Sequence, residues 1–263
     1  MRNQTHYWIA AFLTLLFSCN SQKNEHANSA VKYTLQQWEE KEGDCQQPDQ
    51  PCAQVTVEYP EFKGGPNKAG EVLNQVVNTA LEENLKSSSP ENQQTPGNLK
   101  AQAAAFLKEY AAFHHEFPDS PQQWYIHLDI DVIYESPQLI TLNVFSDAFT
   151  GGAHPNSFVK YINIDLTQLK TLSIEDIVSD MARFSEIAEL KFRKARFLKP
   201  EADLKTAGFF WDENKFKMAK NFACTKEGIY LYYNSYEIAP YALGPTKVFI
   251  PYSELEGVIK KQY

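Results

Sequence analysis

The stretch Trp124–Tyr134, WYIHLDIDVIY, limits what this chain can fold into more than any other. Trp124, Ile126, Leu128, Ile130 and Val132 alternate with Tyr125, His127, Asp129, Asp131 and Ile133. Successive side chains of a strand point to opposite faces, so this period of two predicts a strand with one apolar and one mostly polar face. Such a strand belongs in a sheet that is covered on one side and wet on the other.

The neighbouring runs extend that sheet. QLITLNVFSDAF and SFVKYINID read as two more strands, which makes TGGAHPN the connection of a β-hairpin. Upstream, VKYTLQQW and CAQVTVEYP flank CQQPDQPC and read as a hairpin with a cysteine at each end of its loop. Downstream, NFACT and IYLYYN are joined by KEG, and TKVFI reads as a final strand.

Helical spacing appears between these runs. Val72, Leu73, Val76, Val77, Ala80, Leu81 and Leu85 predict a helix over 69–85. Ala103, Phe106, Leu107 and Tyr110 predict a second over 99–113, closed by Pro118 and Pro121. Phe184, Ile187, Ala188, the Lys191 stem, Ala195 and Leu198 predict a third over 181–198. Ser179 or Asp180 supplies its cap. PYSELEGVI predicts a short closing helix that starts at a proline. The expectation is an α+β fold with antiparallel or mixed β-sheets and packed helices, in two related halves, 31–150 and 151–263.

The N-terminus predicts export. Arg2 precedes the apolar run YWIAAFLTLLF, which is too short to span a membrane. The run ends in LFSC, which resembles a bacterial lipobox. On that reading residues 1–18 are a signal peptide, Cys19 is lipidated, and 19–30 is the polar tether that follows. An ordinary secretory signal is the alternative. The implied place is the cell envelope, with a membrane-anchored lipoprotein facing periplasm or exterior.

Cysteine use agrees with export. Cys45 and Cys52 can close their loop as a disulfide in an oxidising compartment, and a metal is the rival reading. No second pair completes a four-ligand metal site. Cys224 sits in an apolar setting and reads as a buried free thiol. The net charge of −8 argues against nucleic acid as a partner.

Chemistry is sparse. His127, Asp129 and Asp131 share a strand face, but neighbours on that face lie about 7 Å apart, too far for all three to hold one ion unaided. His114, His115 and Glu116 fall where a helix runs out. Ser146 and Asp147 lie near His154 in sequence, yet a triad depends on geometry across a cleft. No nucleophile elbow, P-loop or dinucleotide fingerprint is present. No catalytic residue, metal site or cofactor is assigned.

Two longer motifs carry a family resemblance. FTGGAHPNSFVKYINIDL with LSIEDIV, and GIYLYYNSYEIAPYALGPTKVFIPYSEL, resemble a bacterial extracytoplasmic domain family of unassigned function. VTVEYPEFKGG with VLNQVVNTAL resembles the domain that accompanies it. The same pair is found in the extracellular region of RsiV-type lysozyme-binding anti-sigma factors and in the N-terminal region of PdaC-type deacetylases. The resemblance implies the fold and an envelope setting; no sigma-binding segment or deacetylase domain is seen in the sequence, so neither activity is implied.

The expected function is therefore a lipid-anchored envelope module, more readily a binder than an enzyme. Its expected ligand is a lysozyme-like protein or a peptidoglycan fragment. Candidate ligand-binding residues are Gly151, Gly152, His154, Tyr236 and Tyr241. The alternative is a cell-wall glycan hydrolase or deacetylase-like enzyme that uses His154. His154 itself has three readings: a lock on the turn through hydrogen bonds, a ligand contact, or a catalytic group.

Overall fold

The computed structural model describes residues 30–47, 50–87, 98–211, 215–260 and 263. The signal-peptide, Cys19 and tether readings lie outside the described residues. Among the described residues, no helix is long and apolar enough to cross a membrane, which says nothing of a β-barrel.

Among the described residues, nine strands form two sheets. The first has the order β1 (Lys32–Gly43), β2 (Cys52–Lys63), β3 (Trp124–Glu135), β4 (Leu139–Phe149), β5 (Asn156–Asp165) and β6 (Lys170–Thr171). The second has the order β7 (Asn221–Cys224), β8 (Gly228–Tyr233) and β9 (Thr246–Pro251). All pairings are antiparallel except β2 with β3, which is parallel. That exception makes the first sheet mixed, and it has a clear cause. The chain between β2 and β3 crosses over, and its described residues include the helices α1 (Ala69–Ser87) and α2 (Leu99–Glu116).

Those helices cover one face of the first sheet. Leu73, Val77, Leu81 and Leu85 of α1 and Phe106 of α2 pack on Val55, Val57, Ile126, Leu128 and Ile130. The side chain of Asn74 fixes the entry to α1: it accepts from the Phe62 N–H at 2.8 Å and donates to the Phe62 carbonyl at 2.9 Å. Asn98 caps α2 by accepting from Ala101 N–H at 3.2 Å. Leu107, expected on the buried stripe, is only partly buried, because α2 sits near the edge of the layer.

The second core forms where α3 (Ile174–Ile177) and α4 (Met181–Ala195) meet the second sheet. Phe184, Ile187, Ala188 and Phe192 face Leu231, Tyr233, Val248 and Ile250. Asp180, rather than Ser179, caps α4, accepting from Arg183 N–H at 2.9 Å. Ser179 instead donates to the Val258 carbonyl at 2.8 Å. The helix ends at Ala195, three residues before the expected Leu198, because Phe197 adopts a positive φ of 55° that an α-helix excludes.

The expected division at residue 150 falls inside the β4–β5 hairpin. The first sheet continues through that hairpin to Thr171. The two halves share the α+β build but carry six strands and three. Asparagine side chains join them. Asn234 accepts from Val159 N–H at 2.7 Å and donates to the Val159 carbonyl at 3.0 Å. Asn221 accepts from Tyr161 N–H at 2.8 Å and donates to the same Val159 carbonyl at 2.7 Å. An amide side chain carries the donor and acceptor of a peptide group, so these two residues stand in for a neighbouring strand along β5. Buried Asn163 does the reverse, donating to the Phe222 carbonyl and accepting from Cys224 N–H, each at 2.8 Å.

Candidate functional site: an aromatic cluster at a hairpin tip

The β4–β5 hairpin closes through residues 150–155. Gly151 and Gly152 have φ of 89° and 108°, in the region that side chains disfavour. Gly151 also lies against its surroundings: a side-chain carbon there would sit 3.1 Å from Gln122 Oε1 and 3.5 Å from Trp124 Nε1. Trp124 is itself fixed in the ring cluster of Phe106, Tyr110 and Phe113 on α2. The hairpin tip is thus seated on the first core.

His154 follows the glycines. Its Nδ1 lies 2.8 Å from the Pro155 carbonyl, which can only accept, so Nδ1 carries the proton. Nε2 of the neutral ring is then the acceptor for the Tyr236 hydroxyl at 3.3 Å. The imidazole stacks on Tyr241, with centroids 3.9 Å apart and planes 13° from parallel. Tyr236 and Tyr241 complete the group, with centroids 5.5 Å apart. Both tyrosines are exposed, at 54% and 40%.

The loop that delivers the tyrosines is held at both ends. At its start, Asn234 bonds to β5 as described, and its own N–H donates to Glu237 at 2.8 Å. At its end, a 3-10 turn over Tyr241–Leu243 is tied by Arg196, which donates to the Leu243 carbonyl at 3.0 Å. Between them Tyr236 takes a φ of 66°. A bulky residue with positive φ is an outlier that the surrounding structure must hold in place. Beside the cluster a hollow of about 370 Å³ opens between Phe145, Val159, Tyr232, Tyr241 and Leu243.

Four of the five candidate residues have a direct part in this arrangement: Gly151 seats the tip, and His154, Tyr236 and Tyr241 form the rings. Gly152 has open space around it and supplies the turn. The other candidates go elsewhere. His127 is engaged on both sides, with Thr56 Oγ1 at 2.6 Å from Nδ1 and Asp129 Oδ2 at 2.8 Å from Nε2. Asp147 accepts from Tyr125 at 3.0 Å and Ser157 at 2.6 Å, while Ser146 is buried on the opposite strand face. Neither is bonded to His154. His114 stacks on Tyr110. Among the described residues, no group of three or more His, Cys, Asp or Glu is placed to hold a metal ion. Cys45 and Cys52 form a disulfide. Cys224 is free and buried, and burial pushes its thiol up to about 12.

The comparisons with known proteins divide along the chain. Residues 46–157 match the family model described as deacetylase PdaC, and residues 175–253 match DUF3298, a protein family of unknown function. The chain thus carries one segment similar to PdaC and one similar to DUF3298. Two solved DUF3298 structures share the architecture. One, from Bacteroides fragilis, superposes with a TM-score of 0.69 at 20% identity, covering 89% of this chain and 96% of that one. Another, from Pseudomonas aeruginosa, gives 0.60 at 25% identity, covering 88% and 96%. The peptidoglycan-N-acetylmuramic acid deacetylase PdaC of Bacillus subtilis is 26% identical over 165 residues, or 59% of this chain. That match spans 35% of the deacetylase's own length. His154 lies in the PdaC-type segment, and Tyr236 and Tyr241 lie in the DUF3298 segment, so the cluster is built from both.

Proposed function

We propose that the protein is a lipid-anchored, non-catalytic module of the cell envelope. It binds a cell-wall glycan or a lysozyme-like protein through the His154–Tyr236–Tyr241 cluster. The convergence of those three rings carries the reading: residues more than 80 positions apart meet as one exposed stack beside a hollow. Stacked aromatic rings with a polar edge suit both a sugar face and a protein partner. The PdaC-type segment supports the cell-wall setting, and the acidic net charge suits a cationic lysozyme. The LFSC stretch supports the anchor.

The enzymatic alternative requires a carboxylate within hydrogen-bond reach of His154. Its two ring nitrogens instead meet a backbone carbonyl and a phenol. The test is calorimetric titration of the protein with soluble peptidoglycan fragments and with a cationic lysozyme. Tyr241→Ala should weaken the bound partner by about tenfold, the loss expected for one exposed stacking ring. No heat with either partner, or full affinity in Tyr241→Ala, would sink the proposal.

A further inference from the structure

Phe197 is costly to the fold on two counts. Its ring is 96% exposed, and its φ is 55°. The residue closes α4. Its N–H donates to the Lys194 carbonyl at 3.1 Å, and the Leu198 N–H donates to the Arg193 carbonyl at 2.8 Å. That pair of bonds forms a helix cap whose left-handed residue is usually glycine, because a side chain there is strained. A bare phenyl ring gains nothing from the core. Neither packing nor the cap therefore accounts for a phenylalanine at this position, and such an outlier points to a role outside the fold.

The surroundings share its character. Leu190 is 62% exposed and stands one turn ahead of exposed Lys194 on α4. Arg196 ties the end of α4 to the Tyr241–Leu243 turn through the Leu243 carbonyl. Leu243, itself exposed, lies against Gly208, two residues before the exposed Phe210. These links gather Phe197, Leu243 and Phe210 around the C-terminal end of α4. The local charge is opposite to that of the whole. Residues 191–205 hold six Lys and Arg against two acidic residues, in a chain whose net charge is −8. Lys191 pairs with Glu254, Arg193 pairs with Glu189, and Asp203 has Lys205 beside it. Among the described residues, Lys194 and Lys199 have no carboxylate partner. The Arg196 side chain bonds a carbonyl, which leaves its charge unmatched. Glu201 alone in that stretch is set against these three cations.

Exposed apolar groups ringed by unmatched cations suit the interfacial region of an anionic bilayer. The rings enter the boundary between headgroups and acyl chains, and the cations meet the lipid phosphates. A lone protruding ring needs a matching pocket in a protein partner but none in a fluid bilayer. The negative charge of the rest of the chain is repelled by such a surface, which leaves the basic end to face it. We propose that this end of the protein docks on an anionic lipid surface. Phe197, with Leu190 and Phe210 beside it, enters the headgroup boundary, and Lys194, Arg196 and Lys199 lie at the lipid phosphates. The inference goes beyond the proposed function and does not depend on what the His154 cluster binds.

The experiment floats the full chain, carrying Cys19→Ser to bar acylation at that position, with two kinds of vesicle. One is phosphatidylcholine alone and the other contains phosphatidylglycerol. Any contribution of residues 1–30 is common to all variants and cancels in their ratios. The anionic vesicles should bind at least about tenfold more tightly, and the preference should shrink as salt rises. Lys194→Gln/Lys199→Gln should weaken binding to the anionic vesicles by at least about tenfold, at roughly fivefold for each lysine. Phe197→Gly separates docking from folding. It should weaken vesicle binding by about tenfold, yet raise the thermal midpoint by about 2 °C, because glycine relieves the cap. A ring that served the fold would lower the midpoint instead. The proposal is overturned if the two kinds of vesicle bind equally or not at all, or if both variants bind like the parent chain. Binding of a soluble polyphosphate that falls in the lysine variant, with no loss of any binding in Phe197→Gly, would assign a dissolved polyanion and overturn it as well.

Discussion

Gly151 shows how closely backbone chemistry and site geometry are linked at the scale of one residue. Its φ of 89° strains any side chain, and a side-chain carbon there would press on the Gln122 amide at 3.1 Å. Gly151→Ala should destabilise the fold by about 1–2 kcal/mol, the usual cost of forcing an L-residue into that region. It should also displace the His154 ring. Urea unfolding measures the first effect, and loss of the nuclear Overhauser contacts between His154 and Tyr241 reports the second. His154 was legible in the sequence as a histidine in a glycine-rich hairpin turn. What it touches was not, because Tyr236 is 82 positions away in sequence and only the folded chain brings it within 3.3 Å.

At the scale of elements, the period-two strands and the apolar helix stripes were readable because burial imposes them. Short elements were harder to read. The four-residue α3 is too short to show a period, yet its capping chemistry is plain in the structure. Asp176 accepts from Ser173 N–H and Lys170, each at 2.8 Å. Those partners, Lys170 first, hold its carboxyl down at about 2. The folded pKa lies below the ordinary value of 3.8, so the deprotonated form is favoured by folding. Its contribution is present above about pH 4 and is lost as the pH falls towards 2. Asp176→Asn should therefore flatten part of the fall in thermal midpoint between about pH 4 and pH 2. It should leave the slope above pH 5 unchanged, as read by calorimetric melts across that range.

The whole molecule depends on how the two sheets are joined, and this was the least legible part. Asn163, Asn221 and Asn234 look like ordinary polar residues of strands and turns in the sequence. Their role appears only when their amides meet backbone groups of the other sheet. Asn163 is 2% exposed and bonds Phe222 and Cys224 of the second sheet. Asn163→Ala would leave that backbone donor and acceptor buried without partners, costing about 2–3 kcal/mol. Urea unfolding should show this loss, whereas the exposed Lys63→Ala should change stability by less than about 0.5 kcal/mol. The joint also positions the function, since Asn234 opens the loop that carries Tyr236 and Tyr241 to His154.

The central claim is that the ring cluster contributed by both segments is the ligand-binding surface. Amide chemical-shift mapping during titration with soluble peptidoglycan fragments, and separately with a cationic lysozyme, tests it most directly. The account predicts that one of these partners shifts residues 151–154 and 234–245 first and most strongly. Shifts elsewhere that leave residues 151–154 and 234–245 unmoved would contradict it.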